Sequence, residues 1–178
     1  MGILDNIKDK IALGLVNKEL KKNEFLDRSF ATAFRKSFSF FVIMPTVDPD
    51  FHHSFEVLRG LDSNKKTLTI FLNDFKVSLL PQVYRRFAMD YNIEDISKLN
   101  LPSKKLVEKV TNLSYNAVID LNRDENVFCS YITSIVNSPI KIGFHKANGD
   151  RYYNMQIVDT GQNPESTYKN FINSIQMF

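Results

Sequence analysis

The sequence predicts an α/β protein: a Rossmann-like three-layer sandwich around a mostly parallel sheet. Three observations predict it. Short apolar, β-branched or aromatic runs at 38–44, 68–72, 117–121 and 140–144 read as buried strands. Segments with helical spacing of apolar residues separate them, which is the alternation of βαβ units. The chain has 178 residues, 43% hydrophobic and 24% charged, enough for one packed domain and incompatible with wholesale disorder.

Taken in order, Leu4, Ile7, Ile11 and Leu15 recur at helical spacing, which predicts an amphipathic helix over 2–22. It packs on its own domain or a partner, or lies on anionic lipid with weak, reversible membrane-surface contact. Residues 1–36 form a basic helical appendage, and 37–178 the α/β domain. The appendage holds eight basic and five acidic residues, so it carries the whole net charge of +3. The remainder is neutral, which argues against nucleic acid as a partner.

The run at 38–44 ends at Pro45 and reads as a central strand. Phe51, Phe55, Leu58 and Leu61 follow at helical spacing, then the strand at 68–72. A helix is expected over 75–90, interrupted awkwardly by Pro81, with a short strand at 91–96. Pro102 and Ser103 open a helix whose apolar face is Leu106, Val107 and Val110. The strand at 117–121 leads to a helix over 125–136, and strands follow at 140–144 and 152–157. Asn163-Pro164 starts the last helix, with Tyr168, Phe171, Ile172 and Ile175 on one face.

No apolar run approaches a membrane span, and no signal peptide is recognisable, so a cytoplasmic location is expected, peripheral at the inner membrane face if the first helix meets lipid. The single cysteine, Cys129, excludes an internal disulfide and reads as an inert core residue. No glycine-rich dinucleotide fingerprint, Walker loop or nucleophile elbow is present, and no cofactor is expected.

Ligands of open parallel sheets bind beyond the carboxyl ends of the strands, where strand order reverses. The loop after the first strand carries Asp48, Asp50, His52, His53 and Ser54, and the loop after Leu121 brings Asn122, Arg123, Asp124 and Glu125 to the same edge. Asp50 reads as a helix N-cap or as a site residue. Asp48, Asp50, His52 and His53 are metal-ligating types, but adjacent loop histidines are ordinarily solvated, and no metal is expected. Asp120 reads as structural, and nothing near His145 completes a triad.

Two segments resemble the N-terminal domain of glycosyltransferase family nine, the ADP-heptose:lipopolysaccharide heptosyltransferases. Ile43-Met44-Pro45 is followed by Asp50 and by Leu58-Arg59-Gly60-Leu61 at the family's spacing, with His53 and Ser54 where that family often has histidine and threonine. The stretch 115–121 and Lys141-Ile142-Gly143-Phe144 are similar to its "V-I-D-L" and "R-I-G-F" strands. The resemblance covers about 38–145. The chain also resembles short stand-alone bacterial proteins with the same basic N-terminal helix.

The resemblance implies one half of a two-domain GT-B enzyme, the half that binds a sugar or lipid-linked acceptor without a metal. Asp50 would be the general base on the acceptor hydroxyl. Asp48, His52, His53, Ser54, Asn122 and Arg123 would line the substrate site. Three departures stand against catalysis by this chain alone. The nucleotide-sugar half is absent, so a partner chain or homodimer would have to complete it. Pro49 replaces the family glycine before the aspartate, fixing φ and removing an N–H. Glu56 replaces a proline. A non-catalytic binding or scaffold protein that keeps the fold is the alternative, and an unrelated Rossmann protein with a phosphate-containing ligand is a third reading.

Overall fold

The computed structural model describes residues 32–159, 161 and 163–178, together with Gly14, Val16 and Phe30. Its core is a six-stranded sheet in the order β3-β2-β1-β4-β5-β6, with every neighbouring pair parallel. The strands are β1 (Ser39–Ile43), β2 (Thr67–Asn73), β3 (Ala88–Tyr91), β4 (Ala117–Asp120), β5 (Ile140–Phe144) and β6 (Met155–Ile157). The chain runs outward from β1 to β3, then returns to lay β4 on the other side of β1. Strand order therefore reverses between β1 and β4, where Ile43 lies beside Asp120.

Helices cover both faces, so the central strands are apolar on both sides. Phe40, Val42 and Met44 pack with Ile70, Ile119 and Phe144 under α2 (Asp48–His53), α3 (Phe55–Ser63) and the C-terminal helix Pro164–Gln176. Phe41 and Ile43 pack with Phe71 and Val118 under the helices Lys104–Thr111 and Val127–Ile135. Numbered in chain order, with α1 (Ala33–Lys36) first and α4 (Gln82–Arg85) between β2 and β3, these last three are α7, α5 and α6 respectively. The result is an α/β Rossmann-like sandwich, as the alternating pattern predicts.

The caps are local. Ser103, Asn126 and Asn163 each accept a backbone N–H from the first turn of α5, α6 and α7. Pro164 fills the first turn of α7, where its missing N–H costs nothing.

One predicted element breaks. In place of a helix over 75–90 there is a 3-10 segment, Asp74–Leu79, an extended pair at Leu80 and Pro81, the single turn of α4, and then β3. Proline cannot continue a helix, and it disfavours helical backbone at Leu80. The Arg85 guanidinium closes the gap by donating to the carbonyls of Leu80 and Ser78. The short strand accordingly lies at Ala88–Tyr91, not at 91–96, and β6 is shorter than 152–157.

The helix expected over 2–22 lies outside the described residues except at Gly14 and Val16. Val16 is buried in a cluster with Tyr131, Tyr152 and Tyr153, and Phe34 of α1 is buried in the larger core. Among the described residues no helix is long and apolar enough to cross a membrane.

Candidate functional site at the strand-order reversal

The structure brings the two predicted loops together at the carboxyl edge of the sheet. Pro49 lies in the first turn of α2, so the helix starts ahead of Asp50, and Asp50 is an interior residue of α2 rather than its N-cap. The Asp50 carboxylate is 3.3 Å from an Arg123 Nη, and the same guanidinium lies 2.8 Å from Asp159 beyond β6. Asp159 also accepts from the Gly161 N–H and the Thr167 hydroxyl.

These contacts tie four segments: α2, the loop after β4, the loop after β6 and the start of α7. Burial pushes the Asp159 carboxyl up, but bonds from Arg123, Gly161 and Thr167 outweigh it and hold it below its ordinary value. Burial alone would lower Arg123; its two carboxylate partners raise it instead. A base must offer a free lone pair to a substrate hydroxyl. One Asp50 oxygen faces Arg123 at 3.3 Å and, among the described residues, the other keeps its lone pairs, so it is the low exposure of the side chain, 9%, that limits its reach to a substrate hydroxyl.

Asp48 projects into solvent and accepts from Lys76 at 2.7 Å. The contact with Lys76 holds its carboxyl below the ordinary value. His52 is exposed and His53 half-buried; the His52 ring meets Phe51 and Phe55 edge-on. Ser54 is buried and donates to the Phe51 carbonyl, a bond within its own helix turn. Among the described residues no group of three or more His, Cys, Asp and Glu could hold a metal ion.

Asn122 clasps the two sides of the reversal. Its side-chain oxygen accepts from the Thr46 N–H and hydroxyl, and its amide donates to Asp120 at 2.7 Å. Asp120 is the centre of a buried network that sequence reasoning did not assemble. Its second oxygen accepts from Tyr153 at 2.6 Å and Lys146 at 3.2 Å, and the Tyr153 hydroxyl also meets Ser130 at 3.0 Å. Burial, together with the Asp120 charge, pushes the Tyr153 phenol well up. The one sequence signal was Gly143: a Cβ there would come within 2.7 Å of the Tyr153 ring. Cys129 is buried beside this network, and burial pushes its thiol up, as for an inert core residue.

An open cleft of about 360 Å³ lies on the α5–α6 side of the reversal. Tyr91, Ile96, Val127 and Phe128 give it an apolar wall, and Thr46, Asn100, Glu125 and Asn126 supply polar groups. Tyr91 stacks on Phe71 and leans on Phe128, with both ring centroids 4.8 Å away. Asn126 donates to the Thr46 hydroxyl, and Glu125 accepts from Asn148. Asn100 holds a left-handed φ of 56° at the rim. A smaller pocket of about 90 Å³ shares Thr46 and Tyr91 with this cleft. Asp50 and Arg123 line neither.

No family model matches the sequence, and no curated protein matches it. Among solved structures, the chain is similar to an exopolyphosphatase-related protein from Bacteroides fragilis, with 15% identity and a TM-score of 0.46. The match covers 83% of this chain and 42% of that one, so this chain spans less than half of that protein's length.

Proposed function

We propose that this chain is a binding module built like the acceptor half of a family-nine glycosyltransferase, and that it holds a sugar or lipid-linked acceptor without transferring to it. The observation that carries this is the separation of the cleft from Asp50. The cleft has the size and mixed lining of a small-molecule site, with aromatic wall, amides, a hydroxyl and a carboxylate. Asparagine amides and carboxylates pair with sugar hydroxyls, and aromatic side chains pack against the apolar patches of a ring. The carboxylate that the family resemblance makes the general base is nearly buried beside Arg123 and does not line the cleft. Pro49 adds to this, since it holds the loop in a helical first turn where the family has glycine.

The test is calorimetric titration with lipopolysaccharide core oligosaccharide, alongside assays of ADP-heptose hydrolysis and transfer. Saturable binding without turnover, unchanged in Asp50→Asn, is the expected result. Turnover abolished by Asp50→Asn would make the chain a transferase. Absence of both binding and turnover from a folded protein would overturn the sugar-binding reading.

A further inference from the structure

Lys76 is a buried cation with an exposed counterion. It lies in the 3-10 segment Asp74–Leu79 that follows β2, at the same sheet edge as the cleft. Its side chain is 4% exposed, whereas that of its partner Asp48 is 87% exposed. The ammonium donates to Asp48 at 2.7 Å and to the Thr46 carbonyl at 2.8 Å, and sits 4.9 Å from the Phe51 ring centroid. The two partners differ in what they lose on parting. Asp48 rehydrates fully, so an exposed carboxylate is released at little cost. A buried ammonium left without an anion is penalised heavily. The arrangement therefore favours exchange of one anion for another over loss of the pair.

The space for a second anion is present. Lys76 lines the pocket of about 90 Å³ with Pro45, Thr46, Asn73 and Tyr91. The pocket's volume is several times the roughly 10–15 Å³ that one water needs, room on the scale of a tetrahedral oxyanion. It adjoins the larger cleft, with Thr46 and Tyr91 lining both. We propose that the pocket at Lys76 is an anion subsite for the phosphate of a sugar phosphate, with Asp48 as the counterion that phosphate displaces. The subsite rests on the sugar-cleft reading for the rest of its ligand, but its anion chemistry is separable from it. Lysine suits this role as a compact, strongly charged phosphate partner.

The experiment is titration of the full chain, at low ionic strength, with inorganic phosphate, glucose, glucose 6-phosphate and glucuronate, followed by calorimetry and phosphorus NMR. Glucose 6-phosphate is expected to bind about tenfold or more tightly than glucose, as a charge-assisted contact implies. Lys76→Met should remove that advantage and abolish the response to inorganic phosphate. Asp48→Asn should act in the opposite direction, tightening phosphate several-fold, because it removes the competing anion. Phosphate affinity that is unchanged in Lys76→Met, or not raised in Asp48→Asn, overturns the subsite. Tighter binding of glucuronate than of glucose 6-phosphate overturns the phosphate assignment. Asp48 is exposed, so its variant decides the matter even if Lys76→Met does not fold. If phosphate responds to both variants and neither glucose nor the core oligosaccharide binds, the sugar cleft fails and the anion subsite stands; if sugars bind and phosphate ignores both variants, only the subsite fails.

Discussion

Asp50 and Asp120 both lie at the carboxyl edge of the sheet, one in the helix after β1 and one at the end of β4, and their surroundings differ. Asp120 ends β4, is fully buried, and has Lys146, Tyr153 and Asn122 arranged around it. Asp50 stands on α2 after β1 and shares one guanidinium with a second carboxylate. The first network is sealed and internally satisfied, so it fixes the loop that Asn122 clasps. The second is partly open to water and joins segments far apart in the chain. Charge alone did not separate them; the number of donors facing each carboxylate, and the access of water, did. Neither lines the cleft, which is built from the apolar wall and the amides between them.

Breaking the sealed network should have the largest effect. Asp120→Ala leaves a buried ammonium and a buried phenol without their acceptor, a loss of about 3–5 kcal/mol by denaturant unfolding. The double variant Asp120→Ala/Lys146→Met should lose clearly less than the sum of the two single changes, since the second removes the orphaned charge. Gly143→Ala forces a Cβ against the Tyr153 ring, at a cost of about 1–3 kcal/mol. Asp50→Asn should cost only about 1 kcal/mol, because Arg123 keeps Asp159 and stays within reach of water.

A smaller effect separates the network from its surroundings. Lys141 is buried on β5 and donates to the Ser134 carbonyl, and burial pushes its ammonium down from 10.5 to about 8. The folded chain thus holds this proton less tightly than the unfolded chain. Between pH 8 and 10.5 the unfolded state binds more protons, so stability should rise with pH across that window and level off above it. In Lys141→Met that rise should vanish; an unchanged slope from pH 8 upward would assign it to another group.

Much of the fold was legible because its physics is local. The apolar runs at β1, β2, β4 and β5 stand out because both sheet faces are covered, and the caps at Ser103 and Asn163 are one-turn interactions. The strand order was not legible, since nothing in 67–91 records on which side of β1 the chain turns. The segment 75–90 misleads because Phe75, Leu79 and Val83 have helical spacing while standing exposed around the break at Pro81. At the sheet edge, the meeting of the loops that carry Asp50, Asn122 and Arg123 followed from their position after two strands. Lys146 and Tyr153 were not, because each meets Asp120 across 26 and 33 residues, and a buried charge leaves no periodic trace. The tie between Arg123 and Asp159 was hidden for the same reason.

The most direct measurement is amide NMR shift mapping of the assigned protein during titration with a core sugar. If the cleft is the binding site, the saturable shifts will centre on Thr46, Tyr91, Asn126 and Phe128, with Asp50 and Arg123 nearly still. Shifts centred on Asp50, Arg123 and Asp159, or none at all at saturating sugar, would contradict it.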